Sequence, residues 1–233
     1  DLSSLRGFIP SLGLIPTLVY CHENQFAYPR SSDQYASVEP QMVNLYTALC
    51  ADRLVFNSEW NRRSFLDGVA ALLARLPDQI PPGLVERLQA RASVLPVPLV
   101  DEWQGTAGTA SGPVLDVVWN HRWEYDKGPE LLLAAVEAIQ ARGLPLRFHI
   151  IGQQFRQQPP AFAALRRWHD SLPPSRQGQW GFVAERQQYR ALLQSSHIVL
   201  STARHEFQGL AVMEGMAAGC IPLVPDSLSY PEF

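Results

Sequence analysis

The sequence predicts an α/β protein made of two domains, each built on a parallel sheet. Three observations predict it. Short apolar runs rich in Val, Ile and Leu alternate with helix-period segments along the chain. The runs lack a strict in–out alternation, as strands covered on both faces do. A small-residue, Gly-rich stretch interrupts the pattern, which then restarts.

Taken in order, strands are expected at 15–21, 53–57, 93–97, 114–120, 146–151, 197–201 and 220–224. Helices are expected at 41–51, 60–76, 129–142, 160–171, 185–195 and 210–218. The helix at 129–142 has the fullest signals: Pro129 in the first turn, Glu130 near the positive end, Arg142 near the negative end and Gly143 as stop. Ser58 stands where an N-cap for the second helix belongs. The linker is read at 103–112. It divides an N-terminal domain, 1–102, from a C-terminal domain, 113–233, and implies a ligand cleft between them. The chain opens on Asp1 and closes just after an apolar run, so both ends read as cuts in a longer protein.

Composition narrows the function. The chain has 233 residues, 46% hydrophobic and 18% charged, with a formal net charge of −3, so no basic nucleic-acid footprint exists at the level of the whole chain. No apolar run approaches the roughly 18 residues that cross a bilayer, so no membrane partner is expected. The three cysteines, Cys21, Cys50 and Cys220, are widely spaced, which suits buried thiols in a reducing cytoplasm better than a disulfide or zinc framework. Of 19 basic residues only Lys127 is lysine.

Three strand-to-helix turns carry candidate chemistry. In the first, the apolar Ile198-Val199-Leu200 leads into Arg204-His205-Glu206-Phe207-Gln208-Gly209, and a helix opens at Leu210. Ligands of parallel α/β sheets bind at this edge, and the free amides around Gln208, Gly209 and Leu210 suit an anion such as phosphate. Glu206 and Glu214 are spaced to accept hydrogen bonds from two diols of one long ligand. The plainer reading makes Glu206 a helix-dipole partner and Glu214 a solvated face residue.

In the second, a strand runs into Asn120-His121-Arg122-Trp123-Glu124-Tyr125-Asp126-Lys127-Gly128. Arg122 offers a fork and Lys127 a point charge, both suited to a diphosphate. Surface pairing of Arg122 with Glu124 or Asp126 is the alternative. No Asp-x-Asp pair occurs in the chain, so no metal is expected to be required. In the third, His22-Glu23-Asn24-Gln25 follows an apolar strand and is trailed by Phe26 and Tyr28. His22 suits a sugar hydroxyl or developing charge, and the others suit an acceptor. A solvated loop is again the alternative. No Gly-x-Gly-x-x-Gly or Walker A loop occurs, which argues against nicotinamide oxidoreductases and P-loop ATPases.

Glu206-x7-Glu214 with Arg122 and Lys127 resembles the retaining family-4 glycosyltransferases of the GT-B fold, two Rossmann-like domains facing across a cleft. More narrowly, His22 to Pro29, Phe56-Asn57-Ser58, Trp119 to Glu124 and His205 to Gly209 resemble the tRNA-queuosine mannosyltransferase group, and the likeness runs from Asp1 to Phe233. The resemblance implies a hexosyltransferase moving mannose from GDP-mannose to the queuosine base of tRNA-Asp. It implies a cytoplasmic monomer whose partners are a nucleotide sugar and queuosine-containing tRNA, without a cofactor. It assigns Arg122, Lys127, Glu206, Phe207, Gln208, Gly209, Leu210 and Glu214 to the donor. It assigns Glu23, Asn24, Gln25, Phe26, Tyr28 and Asn57 to the acceptor, and His22 and Glu206 to catalysis. It also implies that the first strand–helix unit and the last helices of a full member are missing here. Arg30, Arg62 and Arg63 are candidate RNA contacts. Two competing functions are a same-fold transferase acting on a lipid or polysaccharide and a non-catalytic nucleotide-sugar or tRNA-binding module.

Overall fold

The computed structural model describes residues 1–29, 37–77, 79–100, 103 and 112–233. Arg30 and most of the 103–112 linker therefore lie outside the described residues. The chain divides into two units. The first holds Asp1–Val97 with His205–Gln208 and Ser227–Phe233, and the second holds Pro98–Arg204 with Gly209–Asp226. Among the described residues no helix is long and apolar enough to cross a membrane.

The first unit opens with α1 (Leu2–Phe8), capped by the Asp1 carboxylate, which accepts from Ser4 N at 2.7 Å. β1 (Leu18–Cys21), α2 (Glu39–Cys50), β2 (Arg53–Phe56), α3 (Glu59–Leu73), α4 (Leu84–Arg91) and β3 (Ala92–Val94) follow. The three strands pair in parallel in the order β1-β2-β3. Leu54 and Phe56 on β2 are fully buried, and α2, α3 and α4 supply Leu45, Phe65, Val69, Leu72 and Leu88 to the same core. α3 is capped twice. Ser58 Oγ accepts from Asn61 N at 2.9 Å, and the Glu232 carboxylate accepts from Glu59 N at 2.8 Å and Trp60 N at 2.6 Å.

The second unit comprises β4 (Leu115–Asn120), α5 (Pro129–Ala141), β5 (Leu146–Ile151), α6 (Ala161–Ser171), β6 (Gln177–Gly181), α7 (Arg186–Ser195), β7 (Ile198–Leu200), α8 (Leu210–Ala217) and β8 (Ile221–Leu223). Its sheet is parallel, in the order β6-β5-β4-β7-β8. Trp119, Leu132, Val136, Ile150 and Leu165 are fully buried in one core. At the N-terminal ends of the strands a polar cluster closes the sheet. Asp116 takes Arg147 Nε at 2.5 Å and His149 Nε2 at 2.9 Å, and its N–H donates to His197 Nδ1 at 2.9 Å.

The predicted elements are present with shifted ends, and three helices and strands were not expected. The strand read at 15–21 begins only at Leu18, after a tight helical turn at Pro10–Leu14 and Pro16. The strand read at 93–97 stops at Val94, shortly before Pro96, although Leu95 N still reaches Phe56 O at 2.9 Å. The helix read at 60–76 spans Glu59–Leu73. α1 and α4 escape a periodicity search because α1 buries nothing and α4 buries only Leu88. β6 lacks β-branched residues. Gly178 lets it approach β5: a Cβ there would lie 2.0 Å from Phe148 O. Of the cysteines expected to be buried, Cys220 is, while Cys21 and Cys50 are half-exposed.

Candidate functional site

In the second unit the loops that follow β4 and β7 are neighbours because their strands pair. They are also joined chemically. Thr202 Oγ1 accepts from Trp119 Nε1 at 2.9 Å and donates to Lys127 O at 2.8 Å, and Arg204 N donates to Asp126 O at 2.8 Å. Gly128 makes the approach possible. Its φ is +65°, and a Cβ would lie 2.1 Å from Thr202 O. The two cations of the β4 loop sit in different surroundings. Lys127 is buried with its ammonium 3.2 Å from the buried Asp126 carboxylate. Arg122 has a half-exposed side chain and pairs with Glu124 at 3.2 Å, the surface pairing named as its alternative.

α8 starts on Gly209, whose φ of +78° is left-handed and which offers no side-chain cap. The Gly209 carbonyl accepts from Val212 and Met213 at 2.9 and 3.0 Å, so the amides ahead of these face outward from the helix start. Leu210 is exposed at this end.

Glu214 is not a solvated face residue. It is half-buried, and its Oε2 accepts from the Tyr189 hydroxyl at 2.5 Å, which in turn accepts from Asn120 Nδ2 at 2.6 Å. Burial pushes the Glu214 carboxyl above its ordinary range, and the Tyr189 hydrogen bond opposes that rise. Burial, and then the neighbouring Glu214, pushes the Tyr189 phenol far up. The Trp103 ring lies 5.4 Å from Tyr189. Sequence reasoning missed Tyr189. Its only sequence signal is a tyrosine in the polar first half of a helix.

In the first unit the segment His205–Gln208 is held by its side chains. The Gln208 amide pairs with the Val97 backbone in both directions, accepting from Val97 N at 3.0 Å and donating to Val97 O at 2.8 Å. The Gln208 side chain, expected at the donor, is engaged as a backbone clamp. Phe207 is buried, its ring 4.6 Å from His205. Glu206 is half-buried and accepts from Phe207 N at 3.1 Å.

The loop after β1 divides into exposed and buried residues. His22 and Glu23 are exposed, and His22 packs on Tyr20 with ring centres 4.8 Å apart. Gln25 is half-buried, and its N–H donates to Asn44 Oδ1 at 2.8 Å. The Tyr28 ring packs at a tilt against His205, next in sequence to Glu206, with centres 4.5 Å apart.

Three of the expected acceptor residues have their side chains engaged within the unit. Asn24 is almost fully buried: its Nδ2 donates to Asn61 and Ser64, and its Oδ1 accepts from Phe26 N and Ala27 N, so the amide is used up in shaping the loop. Phe26 packs edge-on against Phe65 and against Gly68 of α3, so it anchors the loop. Asn57 is buried, donating to His22 O at 2.9 Å and accepting from Asn61 Nδ2 at 2.8 Å. Arg62 is engaged with Glu59, and Arg63 is exposed.

The tRNA-queuosine alpha-mannosyltransferase N-terminal family profile matches residues 1–99, and the glycosyl transferases group 1 profile matches residues 115–233. A tRNA-queuosine alpha-mannosyltransferase of Drosophila melanogaster is 32% identical over 241 residues, which cover all of this chain and 63% of the fly protein. The chain thus spans less than two thirds of that relative. A GDP-mannose:cellobiosyl-diphosphopolyprenol alpha-mannosyltransferase of Xanthomonas oryzae is 28% identical over 127 residues, 54% of this chain and 32% of that protein. Among solved structures, Anabaena HepE in complex with UDP and glucose superposes with a TM-score of 0.70 at 13% identity, over 99% of this chain and 58% of its own. The E. coli trehalose-6-phosphate structure bound with UDP-2-fluoro glucose gives 0.61 at 15% identity, over 92% and 54%. These structural likenesses are of fold, the GT-B fold of two parallel-sheet domains. The group 1 profile extends over more than half of the chain, and with the N-terminal match ahead of it the chain belongs to the glycosyl transferases group 1 family.

Proposed function

We propose that the protein is a retaining mannosyltransferase that moves mannose from GDP-mannose to the queuosine base of tRNA-Asp. The observation that carries the reading is the pair of matches along one chain: a queuosine-mannosyltransferase N-terminal profile followed by a group 1 transferase profile. The Xanthomonas relative, a GDP-mannose enzyme by name, supports the choice of donor.

In this reading the donor diphosphate is met by Arg122, by Lys127 and by the amides at the start of α8. Glu206 meets the sugar and Glu214 the ribose. The bond from the sugar C1 to the diphosphate oxygen breaks, and C1 bonds to an acceptor hydroxyl on the same face. The hydroxyl proton passes to the departing diphosphate. Cations and fixed amides stabilise the charge that grows on that diphosphate, which is where preorganised electrostatics lowers a barrier most. His22 stands at the end of β1 as a hydrogen-bond partner for an acceptor or sugar hydroxyl. The protein acts as a cytoplasmic monomer.

The test is to incubate full-length protein with GDP-mannose or UDP-glucose and queuosine-containing tRNA, then weigh the nucleosides. The expected result is one hexose on queuosine with GDP-mannose only, falling steeply between about 50 and 200 mM salt as phosphate contacts require. Hexose appearing on a lipid or polysaccharide instead would replace this reading.

A further inference from the structure

Three asparagines tie the start of α3 to the loop after β1. Asn61 is fully buried, and Asn57 and Asn24 nearly so. Asn61 is the hub. Its Nδ2 donates to Cys21 O at 2.9 Å and to Asn57 Oδ1 at 2.8 Å, and its Oδ1 accepts from Asn24 Nδ2 at 2.9 Å. Asn57, oriented by that bond, donates its own Nδ2 to His22 O at 2.9 Å. An amide supplies two hydrogens and an acceptor on one short planar head, which a carboxylate or a hydroxyl cannot.

These bonds converge on one residue. Cys21 O and His22 O belong to the two peptide planes that flank the His22 Cα. A peptide is planar, so holding both planes fixes φ and ψ of His22, and with them the direction of its Cβ. The imidazole itself is exposed and packs on Tyr20, ring centres 4.8 Å apart. Attaching α3 to its sheet does not call for this network, because Phe65, Val69 and Leu72 do that in the core. The asparagines bond instead to loop backbone, and their amides leave water to do so. The hub is held in turn. Ser58 Oγ accepts from Asn61 N, and the Glu232 carboxylate accepts from Glu59 N and Trp60 N, so the turn that carries Asn61 is fastened at its start.

We infer that Asn61 is a positioning residue that acts through His22, holding the imidazole in the orientation in which it meets a sugar or acceptor hydroxyl. The inference rests on the mannosyltransferase reading, which gives His22 that hydroxyl. It adds a requirement for an amide at position 61, on a helix that contributes no reacting group of its own.

The experiment is a double-mutant cycle in full-length protein: wild type, Asn61→Asp, His22→Ala and the double variant, assayed with GDP-mannose and queuosine-containing tRNA. Asn61→Asp keeps the shape and turns lone pairs toward Cys21 O and Asn57 Oδ1. It is expected to lower kcat by roughly tenfold or more, the scale on which misplacing a reacting group costs rate, with KM for GDP-mannose within about twofold of wild type. In the His22→Ala background the same substitution is expected to cost less than about twofold, because the group it positions is gone. An undiminished kcat at Asn61→Asp, or an equal loss in both backgrounds, overturns the inference. Hydrogen exchange supplies a readout apart from transfer. Peptides over residues 21–27 are expected to exchange faster in Asn61→Asp, and those over 65–73 to stay unchanged. Unchanged exchange at 21–27, or faster exchange throughout α3, overturns the inference. Melting curves check the fold. If Asn61→Asp does not fold, Asn61→Ser, which leaves room for a water at both oxygens, takes its place in every arm. Wild-type kcat retained by His22→Ala overturns the inference and leaves the function standing. A wild type that transfers no mannose overturns the function, and the exchange arm then decides whether Asn61 holds the His22 backbone.

Discussion

The Tyr189 hydroxyl donates to Glu214 Oε2 at 2.5 Å while receiving Asn120 Nδ2 at 2.6 Å, so a residue at the end of β4 fixes a carboxylate on α8 through a phenol on α7. A carboxylate held this way is ordered in advance, which under the proposed donor role reduces the entropy lost on binding. Tyr189→Phe removes the hydrogen bond and keeps the ring. Donor affinity is expected to fall about five- to tenfold, roughly 1–1.4 kcal/mol. The Glu214 carboxyl, already raised by burial, should rise further once the opposing bond is lost. The acid limb of the pH profile for donor KM should therefore move to higher pH. An unmoved limb with an unchanged KM would count against the role.

Lys127→Ala and Arg122→Ala are each expected to weaken donor binding at least tenfold, about 1.4 kcal/mol. They should differ in stability. Lys127→Ala removes the ammonium 3.2 Å from the buried Asp126 carboxylate and should lower the melting temperature, whereas Arg122→Ala loses a surface pair with Glu124. Titration calorimetry with melting curves separates the two effects.

Gly128→Ala places a Cβ against Thr202 O in a left-handed backbone position. The cost is expected at about 1–3 kcal/mol or more, seen as a lower melting temperature and weaker donor binding, because the Lys127 loop must leave the β7 turn.

Stability should fall on acidification through the Asp116 cluster. Burial raises the Asp116 carboxyl, but the Arg147 and His149 hydrogen bonds outweigh it and hold it below its ordinary range. Burial holds the His149 imidazole below its ordinary value despite Asp116. A carboxyl lowered on folding contributes stability above its unfolded pKa, near 4, and loses it as pH falls through the folded value. An imidazole lowered on folding favours the folded state above about 6.5 and loses that advantage below it. Both act in one direction, so the melting temperature should drop from pH 7 to pH 4. His149→Gln, which removes the imidazole and one of the hydrogen bonds that lower Asp116, should flatten that dependence, and melting curves across this range decide it.

Mannose transfer is expected to persist in excess chelator, since two cations and helix amides suffice for the proposed phosphate site. Loss of transfer in chelator, with recovery on adding manganese, would refute that site.

The layout of the sheets was legible because buried parallel strands announce themselves as apolar runs such as Val117-Val118-Trp119, and Gly143 and Ser58 mark helix ends by local chemistry. The polar loops were legible as loops but not in their division of labour. His22, Glu23 and Asn24 look alike in sequence. Only the fold shows that Asn61 and Ser64, some 40 residues on, turn Asn24 inward. Gln208 reads as a polar turn residue because its partner is the backbone of Val97, which has no side-chain signature. Tyr189 was hidden for the converse reason: its partners, Asn120 and Glu214, lie on other elements.

The Gln208–Val97 pairing also bears on the order in which the protein matures. The first unit closes only with residues 205–208 and 227–233, which bring the Gln208 clamp and the Glu232 cap of α3. A ribosome that has released residues 1–97 has supplied the sheet but neither fastening. Contacts of such wide sequence separation are entropically slow to close. The segment Asp1–Val97 thus waits for both fastenings until synthesis of the second unit is nearly finished, and pulse-labelled hydrogen exchange on nascent chains should find α3 protected late.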